Sequence, residues 1–504
     1  MKKIKEYIQE HRFTKDYKVF VACVFYSALV FYPFLTGRQR VHDSYLVEMY
    51  AGYRFMINGL FNQGRVISSW FYRVLLFFNP PYTLAMAVSV GASLVFLSMA
   101  AYIVFCLVRR YGDVTSRNAY VLAALGALMI FFNVFLLETM LFFENAVMSF
   151  GILMAVAAVA LALWGGVKGY VLSLICMVIS VFCYQPATAF FPPLIALFGG
   201  AASNVEITFG SKVVRFMKYA VPAAVVYIVA LLSNVIFLQV IPGGDGRFYG
   251  ETRIFDNISH SITASRYFLQ NNWGFLPNYV FSLFLLIFVV ALAIYTLRKK
   301  NYFALASCVI AFLLIFVASF VILLPMATDR WYIFPRSGVA LAGIGGLIIV
   351  AIALYAKRIN RAVLIAAALF VLIISQRQID IQINSYANQH LDMMELNVIA
   401  NKLRDYEEHY GITIQRIYIG YDTPMVWFRS QLNNYNDLTI SMWHVSWMPG
   451  PFLSYQLGRP FTVLHMTPYD MERIASYRQA HWFTGGRMVF DGETVYLILN
   501  NVMW

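Results

Sequence analysis

Apolar residues run in long uninterrupted stretches through the first three quarters of the chain and give way, close to residue 376, to shorter and alternating patterns. A helix crosses the roughly 30 Å hydrocarbon core of a bilayer with about 20 mostly apolar residues. Stretches of that kind lie near 19–37, 82–108, 119–137, 146–164, 170–184, 186–200, 219–241, 276–297, 302–324, 339–356 and 362–375, which predicts about 11 membrane spans. The fifth and sixth are short and meet at Tyr184-Gln185-Pro186, so the pattern also allows one broken hairpin there. After residue 376 the period changes. Residues 388–410 repeat at helical spacing up to Gly411, while IQRIYIGY (414–421) and LTISMWHV (438–445) read as strands. RMVFDGETVYLIL (487–499) reads as a hairpin around Asp491-Gly492, a dipeptide suited to a tight turn. The predicted fold is a polytopic α-helical membrane protein over residues 1–375, with outer loops at 38–81, 138–145, 242–275 and 325–338. A small extracytoplasmic α/β domain is expected at 376–504.

Composition agrees with that pattern. Of 504 residues, 60% are hydrophobic and 12% charged, with a mean hydropathy of +0.65; an ordinary soluble domain carries about 25% charged residues. Cys23, Cys106, Cys176, Cys183 and Cys308 lie inside apolar runs with no paired spacing. They read as small core residues and not as a disulfide framework or metal site. The basic N-terminus, MKKIKEYIQEHRFTKDYK, is followed by no small-residue cleavage site after the first span, so it is expected to be a retained cytoplasmic tail. A net charge of +13 suggests nucleic acid in a soluble chain; here its distribution has a different cause. The connections on the side of the N-terminus hold 19 Lys and Arg, the opposite loops 10, which places the N-terminus in the cytoplasm and the C-terminal domain outside. All 10 cations in those outer loops are arginines, whereas 11 of the 12 lysines are cytoplasmic. Arginine's planar fork binds phosphate or carboxylate through two parallel bonds. An all-arginine outer face therefore points to anion handling, with snorkelling and structural ion pairs as the plainer alternative.

The predicted spans hold no Asp, Glu, Lys, Arg or His, groups that ion-coupled transporters usually carry within the membrane. Chemistry at the outer rim is favoured instead, and five segments could supply it. Residues 41–73 mix Asp43, Glu48, Arg65 and Arg73 with Tyr45, Tyr50, Tyr53, Trp70 and Tyr72, more than a tether between two helices requires. LLETMLFFENAVMSFG carries Glu144, with Glu138 nearby, in the turn between the third and fourth spans. A carboxylate between Phe143 and Asn145 at the bilayer edge is costly unless paired; a helix cap or a salt bridge to an outer arginine is the structural alternative. PGGDGRFYGETR (242–253) gathers Asp245, Arg247 and Arg253, and TDRWYIFPRSG (328–338) carries Arg330 and Arg336. In CYQPATAFFPP (183–193), Tyr184 and Gln185 end a span, where polar groups must find partners or have a ligand supply them. The C-terminal region has no Walker motif, GxGxxG or metal-spaced His or Cys cluster. Its aromatic run WHVSWMPGPF (443–452) either receives a polymer or forms an ordinary core with an interfacial belt.

One reaction uses these parts together. A carboxylate outside the membrane takes the proton of an acceptor hydroxyl, which attacks the anomeric carbon of a sugar attached through phosphate to a membrane lipid. Phosphate leaves readily, so arginines that stabilise its charge replace a general acid, and aromatic faces pack on sugar rings. Asp43 is the candidate base, Glu144 a candidate for orienting the acceptor or an arginine, and Arg65, Arg247 and Arg336 candidate phosphate contacts. Since arginines supply the positive charge, no divalent metal or other cofactor is expected.

The order of these features resembles a known family. An outward Asp43 soon after the first span, Gly64-Arg65 later in the same loop, the FFENAVMSFG turn and the span-ending Tyr184-Gln185 are similar to the bacterial O-antigen glucosyltransferases of the Gtr type-two family. The wider class is the GT-C membrane glycosyltransferases. The resemblance spans roughly residues 19–375. It implies inverting transfer of a sugar, glucose by the family's name, from an undecaprenyl-phosphate donor to a surface polysaccharide or O-antigen in the periplasm. It also implies residence in the bacterial inner membrane, no nucleic-acid partner, and dependence on a donor synthase and a lipid-sugar flippase. The family's doubled Asp in the first loop is His42-Asp43-Ser44 here, and Glu144 stands where an Asp is usual, which leaves open whether Asp43 acts alone or with Glu48. Three other classes compete. A lipid-linked sugar flippase or other transporter would need a central polar cavity or an internal repeat, and the sequence shows neither. A polysaccharide polymerase or ligase differs only in its donor. A membrane scaffold leaves the outer carboxylates and arginines unexplained.

Overall fold

The computed structural model describes residues 16–38, 53–112, 114–206, 208–241, 252–326, 328, 335–356, 359–421, 449–459, 461–467, 481–483 and 486–499. They fall into two compact units, one ending at Ile379 and the other resuming at Asp380. The first is helical. In chain order it holds α1 (Tyr17–Val30), the single turn α2 (Tyr32–Leu35), α3 (Tyr53–Asn62), α4 (Val66–Phe78), α5 (Tyr82–Tyr111), α6 (Arg117–Phe131) and the short α7 (Leu136–Met140). Next come α8 (Asn145–Trp164), α9 (Gly166–Cys183), a 3₁₀ segment (Gln185–Phe190), α10 (Phe191–Ser203), α11 (Phe209–Val240) and α12 (Ile254–Asn271). The unit closes with α13 (Val280–Arg298), α14 (Tyr302–Val321), a 3₁₀ turn (Pro335–Gly338), α15 (Val339–Ala342), α16 (Ile344–Tyr355) and the beginning of α17 (Arg361–Tyr410).

Among the described residues, nine helices are long and apolar enough to cross a membrane, each overlapping one of the predicted runs. The remaining two runs, 19–37 and 119–137, form helices of 14 and 15 residues. The first is interrupted at Phe31, ahead of Pro33 in the first turn of α2. The second ends at Phe132 because the Asn133 side chain takes over the local hydrogen bonds: its Nδ2 donates to Ile130 O and Val339 O, and its Oδ1 accepts from Phe135 N–H. Three further helices fall inside the predicted outer loops: α3, α4 and α12. Helix starts follow side-chain chemistry, with Ser116, Thr208 and Asn301 each accepting from a backbone N–H in the first turn of α6, α11 and α14.

The interior packs through small and weakly polar residues, as helices in lipid do when no hydrophobic force separates them from the solvent. Ser89 and Ser93 of α5 meet Asn145 and Ser149 of α8 through side-chain hydrogen bonds. The α6–α16 contact is closer still. A Cβ built on Gly346 would lie 2.3 Å from Ile130 N, and one on Gly126 2.9 Å from Val350 N.

The second unit takes the rest of α17 together with β1 (Arg416–Tyr421), α18 (Pro449–Leu457), β2 (Thr462–His465), β3 (His481–Phe483), β4 (Gly486–Asp491) and β5 (Thr494–Leu499). The strand order is β2-β1-β5-β4-β3, with β1 parallel to β2 and β5 and the last three antiparallel. Leu396, Ile399 and Leu403 of α17 share a core with Ile417, Ile419, Phe452 and Leu497. The hairpin β4–β5 turns at Gly492, which holds φ +59°. The run at 388–410 is not a separate helix: α17 continues from the last span without a break, because no Gly or Pro interrupts it before Gly411 at φ +64°. LTISMWHV (438–445) lies outside the described residues.

The α6–α16 approach gives a stability prediction. Gly346→Val forces the two helices apart and should cost about 1–3 kcal/mol or more, read as a lowered melting temperature of purified protein in detergent. Gly210→Ala, where an added Cβ meets nothing within 4 Å, should cause no loss.

Candidate functional site

Helix α3 ends in a left-handed turn of the Schellman type. Gly64, at φ +74°, donates its N–H to Phe61 O (3.0 Å), and Arg65 donates its N–H to Leu60 O (2.9 Å). Arg65 is also the residue that starts α4, so it sits on a corner between two short helices. Its guanidinium lies over the Tyr184 ring, 5.0 Å from the centroid, and 3.9 Å from Glu144 Oε1. Glu144 is 2% exposed, and its other oxygen, Oε2, accepts from the Tyr72 hydroxyl at 2.7 Å. Glu144 stands at the N-terminus of α8 without capping it, and its carboxylate turns instead toward Tyr72 of α4. A buried carboxylate left without such partners would be strongly destabilising.

A second pair stands six residues away. Glu138 is fully buried; its Oε2 accepts from the Arg336 backbone N–H at 2.7 Å, and its Oε1 lies 3.4 Å from Arg336 Nη1. The Arg336 guanidinium rests 4.4 Å from the Phe142 ring centroid. One turn of chain, residues 138–144, thus holds two arginines brought from distant loops. The buried Tyr184 ring lies under the Arg65 guanidinium, and its hydroxyl has no hydrogen-bond partner among the described residues.

Arg65 borders a cavity of about 560 Å³. Gln63, Arg65, Gln185 and Asn234 gather on one part of its lining, Gln239 and Ser337 are its other polar residues, and the rest is apolar, with Leu231, Val235, Leu238, Val321 and Ile322 among them. Val235 is 44% exposed on the flank of α11, so that apolar lining continues onto an apolar outer surface. Gln185 Nε2 donates to Gln63 O at 2.7 Å and reaches Asn234 Oδ1 at 3.5 Å, while Asn234 Nδ2 donates to Gly64 O at 3.1 Å. Such a space, with an arginine among clustered amides and a mostly apolar remainder, suits an amphiphile whose head is an anion.

Of the residues singled out in the sequence, the structure brings together Glu144, Arg65, Tyr184 and Gln185, with Arg336 close by on Glu138. Arg73 does not join them: it is exposed and stacks 5.2 Å from the Trp70 ring on the outside of α4. Arg253 is also exposed, at the start of α12, where its backbone N–H donates to Thr328. Asp43, Glu48, Asp245, Arg247 and Arg330 lie outside the described residues. Sequence reasoning missed Asn234, Gln63 and the roles of Tyr72 and Glu138. For Asn234 a signal existed, since an amide inside the apolar run VALLSNVIFLQV must have a partner. Among the described residues no group of three His, Cys, Asp or Glu could hold a metal ion.

The sequence model of one family, described as glucosyl transferase GtrII, matches residues 32–352. That stretch contains every residue of the cluster and cavity just described. No curated protein and no solved structure matches the chain.

The buried pair sets an order of stabilities. Glu144→Ala strands Arg65 and should cost about 3–5 kcal/mol. Tyr72→Phe removes one bond to a charged group and should cost less, about 1.5–3 kcal/mol. Denaturant unfolding in detergent reads both, and equal stability of Glu144→Ala and wild type would show the pair to be inert.

Proposed function

The chain belongs to the GtrII glucosyl transferase family, and we propose that it moves glucose from undecaprenyl-phosphate glucose onto a surface polysaccharide or O-antigen at the periplasmic face of the bacterial inner membrane. As a member it is a glycosyltransferase, and its apolar helices make it a membrane protein. The observation that carries the finer reading is Arg65 among clustered amides in a cavity whose remaining lining is mostly apolar. The polyprenyl chain lies along Leu231, Val235 and Leu238, and the phosphate meets the guanidinium. In this reading the acceptor hydroxyl attacks the anomeric carbon from the face opposite the phosphate. The new C–O bond forms, the bond to the phosphate oxygen breaks with inversion, and the hydroxyl proton passes to Asp43. The leaving phosphate keeps the electron pair, and Arg65 offsets its charge.

Glu144 then serves the arginine and not the acceptor. Each of its oxygens already has a protein partner, Tyr72 on one side and Arg65 on the other. Glu138 does the same for Arg336, whose neighbour Ser337 lines the cavity. Proton removal therefore falls to another carboxylate, and Asp43, alone or with Glu48, is the one the sequence offers. In this reading the N-terminus is cytoplasmic and the C-terminal domain periplasmic. The donor is supplied by a synthase and a flippase, and no nucleic acid and no divalent metal take part.

Purified protein supplied with undecaprenyl-phosphate glucose and acceptor should release undecaprenyl phosphate. Arg65→Ala should slow release by about 10²–10³-fold, and Asp43→Asn should abolish it; full activity of Asp43→Asn would remove that residue from the role of base. Release should persist in EDTA. Loss on chelation, restored by Mg²⁺ or Mn²⁺, would overturn the metal-independent mechanism.

A further inference from the structure

Arg65 depends on more than its ion pair. The two peptide units just before it, at Gln63 and Gly64, belong to a turn whose N–H groups are used within the turn while both carbonyls point away from it. Each carbonyl is taken by a side-chain amide from a different element: Gln63 O by Gln185 Nε2 at 2.7 Å, and Gly64 O by Asn234 Nδ2 at 3.1 Å. The two amides also meet each other, Gln185 Nε2 reaching Asn234 Oδ1 at 3.5 Å. Asn234 is 5% exposed and sits in an apolar span, where an amide is costly unless its donor and acceptor are both engaged. Both of its bonds lead to the Arg65 corner. Contact on the other side is equally close, since a Cβ on Gly64 would lie 2.7 Å from Asn234 Nδ2.

Asn234, Val235 and Leu238 follow Leu231 at three, four and seven residues, one stripe of α11, and all four line the cavity. We infer that Asn234, acting with Gln185, positions Arg65 for the phosphate of the lipid donor, so that the helix forming the wall for the apolar chain also fixes the arginine. This rests on the reading of Arg65 given above. Asn234 acts through Arg65 and is a positioning residue, not a catalytic one. Its value lies in holding the backbone of 63–64, because a rotation there would swing the guanidinium off the phosphate while leaving α11 intact.

The test is a double-mutant cycle in the full-length protein, reading kcat/KM with undecaprenyl-phosphate glucose, affinity for undecaprenyl phosphate, and melting temperature. Asn234→Leu, close in shape and compatible with an apolar span, leaves the Gly64 carbonyl without its amide, so a modest fall in melting temperature is expected in either background; kcat/KM should fall about ten- to a hundredfold. In the Arg65→Ala background the same substitution should change neither turnover nor affinity by more than about twofold. Effects that multiply across the two backgrounds, or unaltered turnover in Asn234→Leu, would each overturn the inference. The first would mean that Asn234 touches the ligand itself, the second that it serves only packing. Should Arg65→Ala turn over like wild type, the phosphate assignment fails first and takes this inference with it, a pattern distinct from the other two. If Asn234→Leu is not recovered folded, Asn234→Ser, too short to reach Gly64, takes its place in the cycle.

Discussion

A guanidinium and a carboxylate taken out of water near the edge of an apolar bundle set the terms for the rest of this site. Neither charge can be buried alone at tolerable cost, and their attraction compensates only when the remaining polar atoms are also satisfied. Four elements converge on the pair: Arg65 comes from the corner after α3, Glu144 from the start of α8, Tyr72 from α4 and the Tyr184 ring from the end of α9. Their mutual need explains why α4 folds back against α8 and α9 instead of extending as a plain loop. It also explains why a carboxylate at a helix start is not spent on capping. The Glu138–Arg336 pair repeats the solution one turn earlier and draws in the segment ahead of α15.

The local chemistry of residues 59–66 makes this possible. A left-handed residue is needed where α3 stops and α4 starts in a new direction, and Gly64 supplies it. The turn uses its N–H groups internally and leaves two carbonyls outward. Apolar surroundings would penalise those carbonyls, and Gln185 and Asn234 relieve the penalty. A requirement of backbone solvation thereby becomes a means of holding a side chain in place.

The fold was legible where the sequence signal does not depend on tertiary context. Uninterrupted apolar runs read as spans whatever they pack against, and Asp491-Gly492 reads as a turn between two alternating runs. The reading faltered where neighbours decide. The helix after residue 119 stops early because Asn133 bonds across to Val339, more than 200 residues away. The helices α3, α4 and α12 are short and mix polar with apolar residues, so they resemble loops until a bundle covers one face. In the site, the residue types were visible but not their partners. Glu144 could be read as capping α8 or as pairing with an arginine, and only the folded chain decides between Arg65 and the other outer arginines. Arg73, a candidate from the same loop as Arg65, lies instead on an exposed side of α4 and stacks on Trp70. Asn234 carries no charge, so within an apolar run its amide marks a site only once Gly64 and Gln185 are seen beside it.

The same pairing that builds the site also limits what its carboxylates can do. A base must present an oxygen to the acceptor hydroxyl, and Glu144 and Glu138 present theirs to a tyrosine hydroxyl, a backbone N–H and two guanidiniums. Protonating either carboxylate would cancel the charge that keeps its arginine in place. Proton removal and arginine support are therefore incompatible duties for one carboxylate at this position. The division of labour we propose follows from that incompatibility: buried acids hold the arginines, and another acid, for which Asp43 is the candidate, is left to take the proton.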